Sequence, residues 1–226
     1  MCGGFITLRG TIRDETAAAR SPLIAIVDYG MGNLGSIANM LNKVGAESTI
    51  TSNPEVIASA DKLILPGVGA FDNGMRELTN RGLIPVLQEE VVTRGKSILG
   101  LCLGMQLFAS GSEEGVTAGL GWIPGKAMKL APVIDSTPLK VPHMGWSTIQ
   151  QCRADPLFAG LDTDARFYFV HSFHVTCAES SVLARSIYGG SFVSAIRHQN
   201  IAGVQFHPEK SHRFGMQLLR NFAENS

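Results

Sequence analysis

The sequence predicts an α/β fold: an open, mostly parallel central sheet flanked by helices, with an additional antiparallel portion in the C-terminal half. Three observations carry this. Short apolar runs, Leu23-Ile-Ala-Ile-Val27, Lys62-Leu-Ile-Leu65 and Ile98 to Leu101, read as strands buried on both faces. Helical periodicities separate them, which requires crossover connections and hence parallel pairing. In the second half strand-like runs follow one another, and Asn200 marks a tight turn between the last two.

In chain order, the first run ends at Asp28-Tyr-Gly-Met-Gly-Asn33, a glycine-containing turn. Ile37, Met40, Leu41 and Val44 then recur at helical spacing, with Gly45 as the stop. Glu47 to Thr51 reads as a second strand, and Asn53-Pro54 as the cap of a short helix, Glu55 to Ala60. The run Lys62–Leu65 ends in Pro66-Gly-Val-Gly69. A helical stretch from Leu83 to Thr93 precedes Ile98–Leu101, after which Met105, Leu107 and Phe108 read as an amphipathic helix. Gly111-Ser-Glu-Glu-Gly115 is a polar loop. Beyond it, Lys126–Leu130, Ser147–Gln150, Phe167–Val170, Val182–Ile187, Ser191–Arg197 and Ile201–Phe206 read as strands. Phe214, Leu218 and Phe222 line one face of a closing helix. Turns at 28–33 and 66–69 and Cys102 all fall at strand carboxyl ends, where α/β sheets place their chemistry.

Composition narrows the class. At 226 residues, 45% of them hydrophobic and 17% charged, the chain suits one globular domain. Nineteen basic residues balance nineteen acidic ones, so nothing points to nucleic acid or a membrane surface. No apolar run approaches the ~20 residues of a spanning helix. Residues 1–22 read as a poorly ordered N-terminal extension and 23–226 as the domain. Arg9, Arg13, Asp14 and Glu15 interrupt any signal-peptide core. Cys2-Gly-Gly resembles the start of N-terminal-nucleophile amidotransferases, but the polar, alanine-rich 11–21 that follows does not suit their strand-rich domain. Cys2, Cys102, Cys152 and Cys177 are scattered without a C-x-x-C pair, which fits free thiols in a reducing cytoplasm and no zinc. No cofactor is expected.

Three stretches carry chemistry. Gly100-Leu-Cys102-Leu-Gly104, between an apolar strand and a helix, is the thiol form of a nucleophile elbow. Such a turn lifts the side chain above the sheet, and side chains two residues either side would meet the crossing backbone. The helix N-terminus favours a thiolate, and Leu103 N–H can donate to an oxyanion. Seen alone, a small buried cysteine between two ordinary glycines fits as well. Gly203-Val-Gln-Phe-His207-Pro-Glu209 delivers a histidine at a strand end with a carboxylate two residues on, a base and its orienting group. A surface His-Pro turn is the bland alternative. The glycines of Pro66-Gly-Val-Gly69 can aim Val68 N–H at the same oxyanion, or simply make a turn. His143, His171, His174, His198 and His212 read as structural first, with a wall or interface role open to His143 and His171.

Taken together and in this order, these motifs resemble the class I (triad-type) glutamine amidotransferases, whose fold is flavodoxin-like. Asp28-Tyr-Gly-Met-Gly-Asn33, Pro142-His-Met-Gly-Trp146 and Tyr168-Phe-Val-His-Ser172 narrow the resemblance to the glutaminase subunits of imidazole glycerol phosphate synthase. It covers Leu23 to the C-terminus. It implies Cys102 as nucleophile, His207 as base and acid, and Glu209 as orienting carboxylate, with Val68 and Leu103 in the oxyanion hole. Gly69, Gln106, Ser172 and Phe173 would hold glutamine. Met144, Trp146, Lys210 and Ser211 would face a (β/α)8-barrel cyclase in a heterodimer, which receives the ammonia for histidine biosynthesis. Two positions depart from the family pattern: Ser147 stands for asparagine and Phe173 for tyrosine. A paralogous subunit feeding a sugar-modifying synthase for surface polysaccharide is the alternative. A cysteine peptidase or γ-glutamyl hydrolase of similar fold is the rival class.

Overall fold

A computed structural model describes residues 21–225. Residues 1–20 of the expected N-terminal extension, Cys2 among them, lie outside the described residues. The first half alternates as expected: β1 (Ile24–Val27), α1 (Leu34–Lys43), β2 (Ser48–Thr51), α2 (Pro54–Ser59), β3 (Lys62–Leu65), α3 (Phe71–Asn80), α4 (Leu83–Leu87), β4 (Ile98–Leu101) and α5 (Leu103–Leu107). The second half carries β5 (Gly125–Lys129), β6 (Val133–Ile134), β7 (Thr137–Pro138), β8 (His143–Thr148), β9 (Gln150–Gln151), β10 (Arg166–His171), β11 (Phe173–Cys177), β12 (Val182–Ile187), β13 (Ser191–His198), β14 (Ile201–Val204) and α6 (His212–Asn225).

The central sheet has eight strands in the order β2-β1-β3-β4-β14-β13-β12-β9. From β2 to β14 every pairing is parallel, in the flavodoxin order. From β14 to β9 every pairing is antiparallel. The β13–β14 hairpin turns at Gln199 (φ +54°) and Asn200, as the sequence suggests.

Both faces of the sheet are covered, and β1 shows why its sequence is a continuous apolar run. Ile24 and Ile26 enter one core, with Leu41 of α1 and Leu218 and Phe222 of α6. Ala25 and Val27 enter the other, with Ile57 of α2, Leu78 of α3 and Leu87 of α4. All of these are 0% exposed. Each large aliphatic side chain buried this way contributes about 1.5–3 kcal/mol, against at most ~1 kcal/mol for an exposed ion pair such as Arg81–Glu77. The two cores therefore hold the fold.

Local signals explain most boundaries. Asn53 Oδ1 accepts from Glu55 N–H at 2.8 Å, capping α2 ahead of Pro54. Gly45 takes φ +82° just past α1. Several elements differ from expectation, and strands β6, β7 and β11 have no counterpart in it. Helix α3 was not predicted, although Phe71, Met75 and Leu78 bury at helical spacing; Gly74 interrupts the pattern and lies against Leu107. The stretch 83–93 is helical, but Gln88–Thr93 is a π turn that carries Glu90 inward to Lys96 at 2.8 Å. Helix α5 has five residues, all buried, so it is not amphipathic. The strand expected at 147–150 lies earlier, as β8, because Met144 and Trp146 face outward while His143 faces in.

Among the described residues no helix is long and apolar enough to cross a membrane.

A Cβ on Gly104 would sit 1.9 Å from the Leu65 carbonyl oxygen. Gly104→Ala should destabilise by on the order of 3 kcal/mol or more, through overpacking against backbone. Gly45→Ala meets open space and only backbone strain, so about 1 kcal/mol is expected. Urea denaturation of both variants checks the contrast.

Candidate active site

Strand register brings the three sequence stretches to one place. Leu65 pairs with Gly100, and Leu101 with Val204. The Pro66–Gly69 turn, Cys102 and the Gln205–His207 segment therefore leave adjacent parallel strands at the same end.

Cys102 takes φ +53° and ψ −108°, a backbone that L-residues rarely adopt. It is held there because its N–H donates to Val204 O at 2.8 Å and because Gly104 packs on the Leu65 carbonyl. Gly100 is equally constrained: a Cβ would lie 2.5 Å from Phe108 Cε2. The thiol is 6% exposed. Five residues make a weak helix dipole, so the expected support from α5 is small. A side chain supplies a closer donor: Gln205, fully buried, points Nε2 at Cys102 Sγ at 3.6 Å. The sequence reading did not single out Gln205. Its place inside a strand-end motif next to His207 was the available signal.

His207 and Glu209 sit on a tight 3₁₀ turn, Pro208–Lys210, rather than on a continuing strand. The turn swings the carboxylate back, and His207 Nδ1 meets Glu209 Oε1 at 2.8 Å with both side chains about 3% exposed. The segment is tied to β10: His207 N–H donates to Tyr168 O at 2.9 Å. Ser211 Oγ donates to His207 O at 2.6 Å and accepts from Tyr168 N–H at 3.0 Å. Burial pushes the His207 pKa down, but interaction with the Cys102 and Glu209 side chains outweighs it and raises the value to about 10. His207 Nε2 and Glu209 Oε2 are buried with no hydrogen-bond partner. Nδ1 is occupied by Glu209, so Nε2 is the edge available for chemistry.

The Pro66–Gly69 turn is pinned at one end and open at the other. Buried Tyr29 donates Oη to Pro66 O at 2.6 Å. Burial and the neighbouring Cys102 push that phenol pKa up, so it remains a donor. Gly67 has no room for a side chain, since a Cβ would lie 2.5 Å from Tyr29 Oη. Gly69 takes φ +102°, and Val68 is 42% exposed on the rim.

A cleft of about 440 Å³ joins these parts. Cys102, His207, Val68, Leu103, Gly69, Gln106, Ser172 and Phe173 all line it, and Glu209 stands behind His207. Both of the Gln106 contacts found run into the wall, from Nε2 to Phe173 O at 3.0 Å and to Gln205 Oε1 at 3.1 Å. One lining residue was missed. Glu114 brings the only carboxylate of the lining from the polar loop at 111–115. Its Oε2 accepts from Phe71 N–H at 2.8 Å. Asp72 holds the following residues, accepting from Val116 and Thr117 N–H at 3.1 Å each. Two adjacent glutamates between glycines were the signal.

Beside the cleft, Met144 and Trp146 are 61% and 46% exposed, and Lys210 lies over the Tyr168 ring at 5.8 Å. Ser211 does not belong to this surface. It is 0% exposed, because its hydroxyl bridges His207 and Tyr168.

A cysteine on a strained elbow with a buried His–Glu pair defines an acyl-transfer or amide-hydrolysing centre. The family model described as "Glutamine amidotransferase class-I" matches residues 25–225, and the chain belongs to that family. It is accordingly a glutamine-hydrolysing enzyme. A Methanococcus maripaludis protein named imidazole glycerol phosphate synthase subunit HisH 2 is 48% identical, covering 90% of this chain and 100% of the relative. Campylobacter jejuni HisH 1 is 46% identical, covering 89% and 99%. Pseudomonas aeruginosa HisH 2 is 45% identical, again covering 89% and 99%. The solved structure of PurLQS from Thermotoga maritima superposes with a TM-score of 0.66 at 17% identity, covering 90% of this chain and 98% of that one, a likeness of fold.

The raised His207 value has a pH consequence. It lies above the unfolded-state value near 6.5, so the interactions behind it stabilise the fold fully below about pH 6.5. That contribution is lost as pH rises towards 10. An NMR titration of His207 should show a midpoint near 10. A midpoint near the ordinary ~6.5 would contradict the pairing.

Proposed function

We propose that Cys102, His207 and Glu209 form the catalytic triad of glutamine hydrolysis. The observation that carries this is the buried His207: Nδ1 is bound to Glu209, and Nε2 is unpaired in a cleft lined by Cys102. His207 takes the Cys102 thiol proton at Nε2, and the thiolate so formed attacks the side-chain amide carbon of glutamine. Val68 and Leu103 N–H groups stabilise the tetrahedral oxyanion. His207 gives its Nε2 proton to the departing ammonia, which leaves a thioester on Cys102. His207 then takes a proton from water, the hydroxide attacks the thioester, and glutamate leaves with the thiolate restored. Glu114 complements the α-ammonium of glutamine, while Gly69, Ser172 and Phe173 hold its main-chain end through backbone groups. Gln106 helps to fix that wall.

The ammonia passes to a partner. We assign that partner as the (β/α)8-barrel cyclase of imidazole glycerol phosphate synthase, in a cytoplasmic heterodimer of histidine biosynthesis. Ammonia and a ribulosyl-type nucleotide intermediate there give imidazole glycerol phosphate and aminoimidazole carboxamide ribotide. The names of the relatives support this, as does the exposed apolar and cationic face of Met144, Trp146 and Lys210 beside the cleft. A second reading has its own support: the names of these relatives are numbered 1 or 2, and Ser147 departs from the family pattern. In that reading the partner is a sugar-modifying synthase for surface polysaccharide.

Cys102→Ser should abolish glutamine hydrolysis with the fold intact. Glu209→Gln should lower turnover by about 10²–10⁴-fold, as in comparable triads. Turnover within a few-fold of wild type removes Glu209 from the triad. Glu114→Gln should raise KM by about tenfold or more with kcat nearly unchanged, the pattern of lost ground-state binding. A fall in kcat alone removes Glu114 from substrate binding.

Coupling is tested by adding the partner. A free-running glutaminase would waste glutamine, so the isolated chain should be slow. The glycines flanking Val68 let a peptide plane rotate at low cost, completing or breaking the oxyanion hole. One missing donor costs about 10²–10³ in rate. Adding the histidine-pathway cyclase with its acceptor should raise steady-state hydrolysis by that order through population shift. No effect of that cyclase moves the assignment to the second reading, and full activity in the isolated chain refutes the coupling.

A further inference from the structure

At the wall of the cleft, which His171 lines, stands a pair of histidines that the chemistry above does not use. His143 on β8 and His171 on β10 are direct cross-strand partners, 2% and 5% exposed. Aromatic rings enclose them: Phe169 and Tyr188 stack on His143 at 5.0 and 4.2 Å, and Phe192 lies 5.0 Å from the His171 ring. His171 Nδ1 meets Phe173 O at 2.9 Å, and its Nε2 meets His143 Nδ1 at 3.1 Å. His143 Nε2 meets Ser147 Oγ at 3.0 Å.

Donor and acceptor roles follow from one fixed point. A carbonyl oxygen only accepts, so His171 Nδ1 carries a proton. Burial holds both rings below the usual histidine range, His171 at about 3, so both are neutral. The Nε2 of neutral His171 must then accept, and His143 Nδ1 must donate. His143 Nε2 is left as an acceptor, and among the described residues the Ser147 hydroxyl is placed to serve it. The Phe173 carbonyl therefore fixes the tautomer of His171, His171 that of His143, and His143 the direction in which the Ser147 hydroxyl points.

The chain continues into the site. Phe173 O also accepts from Gln106 Nε2 at 3.0 Å, Gln106 Nε2 donates to Gln205 Oε1 at 3.1 Å, and Gln205 Nε2 donates to Cys102 Sγ at 3.6 Å. Its outer end is on the strand that exposes Met144 and Trp146.

The geometry points to Ser147, His143 and His171 as a directional chain of positioning residues, which fixes the Phe173 carbonyl and thereby the Gln106–Gln205 wall against the glutamine cleft and the Cys102 thiol. The proposal rests on the glutamine-site reading above. Without the Ser147 hydroxyl, the buried His143 Nε2 is an acceptor with no partner. Relieving that cost shifts His143, with it His171 across their 3.1 Å contact, and so the Phe173 carbonyl.

Two measurements on the full chain test this. Long-range ¹H–¹⁵N spectra of ¹⁵N-histidine protein at neutral pH should show both His143 and His171 neutral with the proton on Nδ1. Finding either ring charged, or protonated on Nε2 only, overturns the proposal. The second measurement is inactivation by acivicin, a glutamine-analogue alkylator, with its label mapped to Cys102. Ser147→Ala should raise the half-saturating acivicin concentration about tenfold, the scale of one broken hydrogen bond. Ser147→Thr, which keeps the hydroxyl, should restore the wild-type value. Thr148→Ala, on the other face of β8, should leave it unchanged. Wild-type saturation in Ser147→Ala, or a loss that Ser147→Thr does not restore, overturns the positioning role. Absence of label on Cys102 in the wild type instead overturns the glutamine-site reading, and the tautomer spectra then still decide whether the chain exists.

Discussion

Between Gly104 and the Leu65 carbonyl there is no space for a methyl group, and the cleft is built on that contact. It presses the start of α5 onto the end of β3. The Cys102 backbone, anchored to Val204 O on the other side, is left in a conformation it would not choose. A strained residue persists only where its surroundings over-determine it. Here the over-determination comes from three parallel strands in register, so the strain at Cys102 is supported by the two cores beneath it. The same contact sets the distance between the elbow and the Pro66–Gly69 turn, whose first carbonyl Tyr29 holds.

A second attachment converts the elbow into a site. The β8–β10 ribbon is not part of the central sheet, and it reaches the site through Tyr168, which pairs with His207. Ser211 doubles that link from the side chain, which is why it is buried. The ribbon thus carries the outward Met144 and Trp146, the inward histidines and one wall of the cleft on a single pair of strands. Any displacement of its outer face is felt at the His207 segment, because Tyr168 binds both His207 N–H and Ser211 Oγ.

The parallel half of the fold was legible because β1, β3, β4 and β14 are buried on both faces and read as apolar runs, the part-exposed edge strand β2 being the exception. The elbow was legible for a related reason: close backbone packing demands glycine, and Gly100 and Gly104 stand where the contacts require them. What stayed hidden depends on contacts between residues distant in sequence. Glu114 enters the cleft because Phe71 N–H and Asp72 fasten its loop to α3, and nothing local in Ser112-Glu-Glu114 says so. Gln205 looks like one more strand residue until β14 lies beside β4. Ser211 sits in a motif that resembles an interface, yet its hydroxyl turns inward to satisfy backbone groups. Short ribbons such as β6–β7 carry almost no periodicity to read.

The unpaired polar atoms of the site make a final point about how stability is distributed. His207 Nε2 and Glu209 Oε2 are buried without partners, and each such group costs about 1–3 kcal/mol. Elsewhere the buried polar side chains are mostly satisfied, often twice over, as with Asn221 on Leu157 O and Ala159 O. Among the described residues the exceptions are the His207–Glu209 pair, with one atom each, together with His174 Nδ1 and Ser194 Oγ. Losing a few kcal/mol there is tolerable because dozens of apolar side chains are fully buried on both faces of the sheet. If the proposed role of His207 holds, an edge held ready in this way does not have to reorganise when charge develops beside it. The fold accepts a local deficit at His207, and in the proposed mechanism the substrate, rather than the protein, completes the hydrogen-bond pattern.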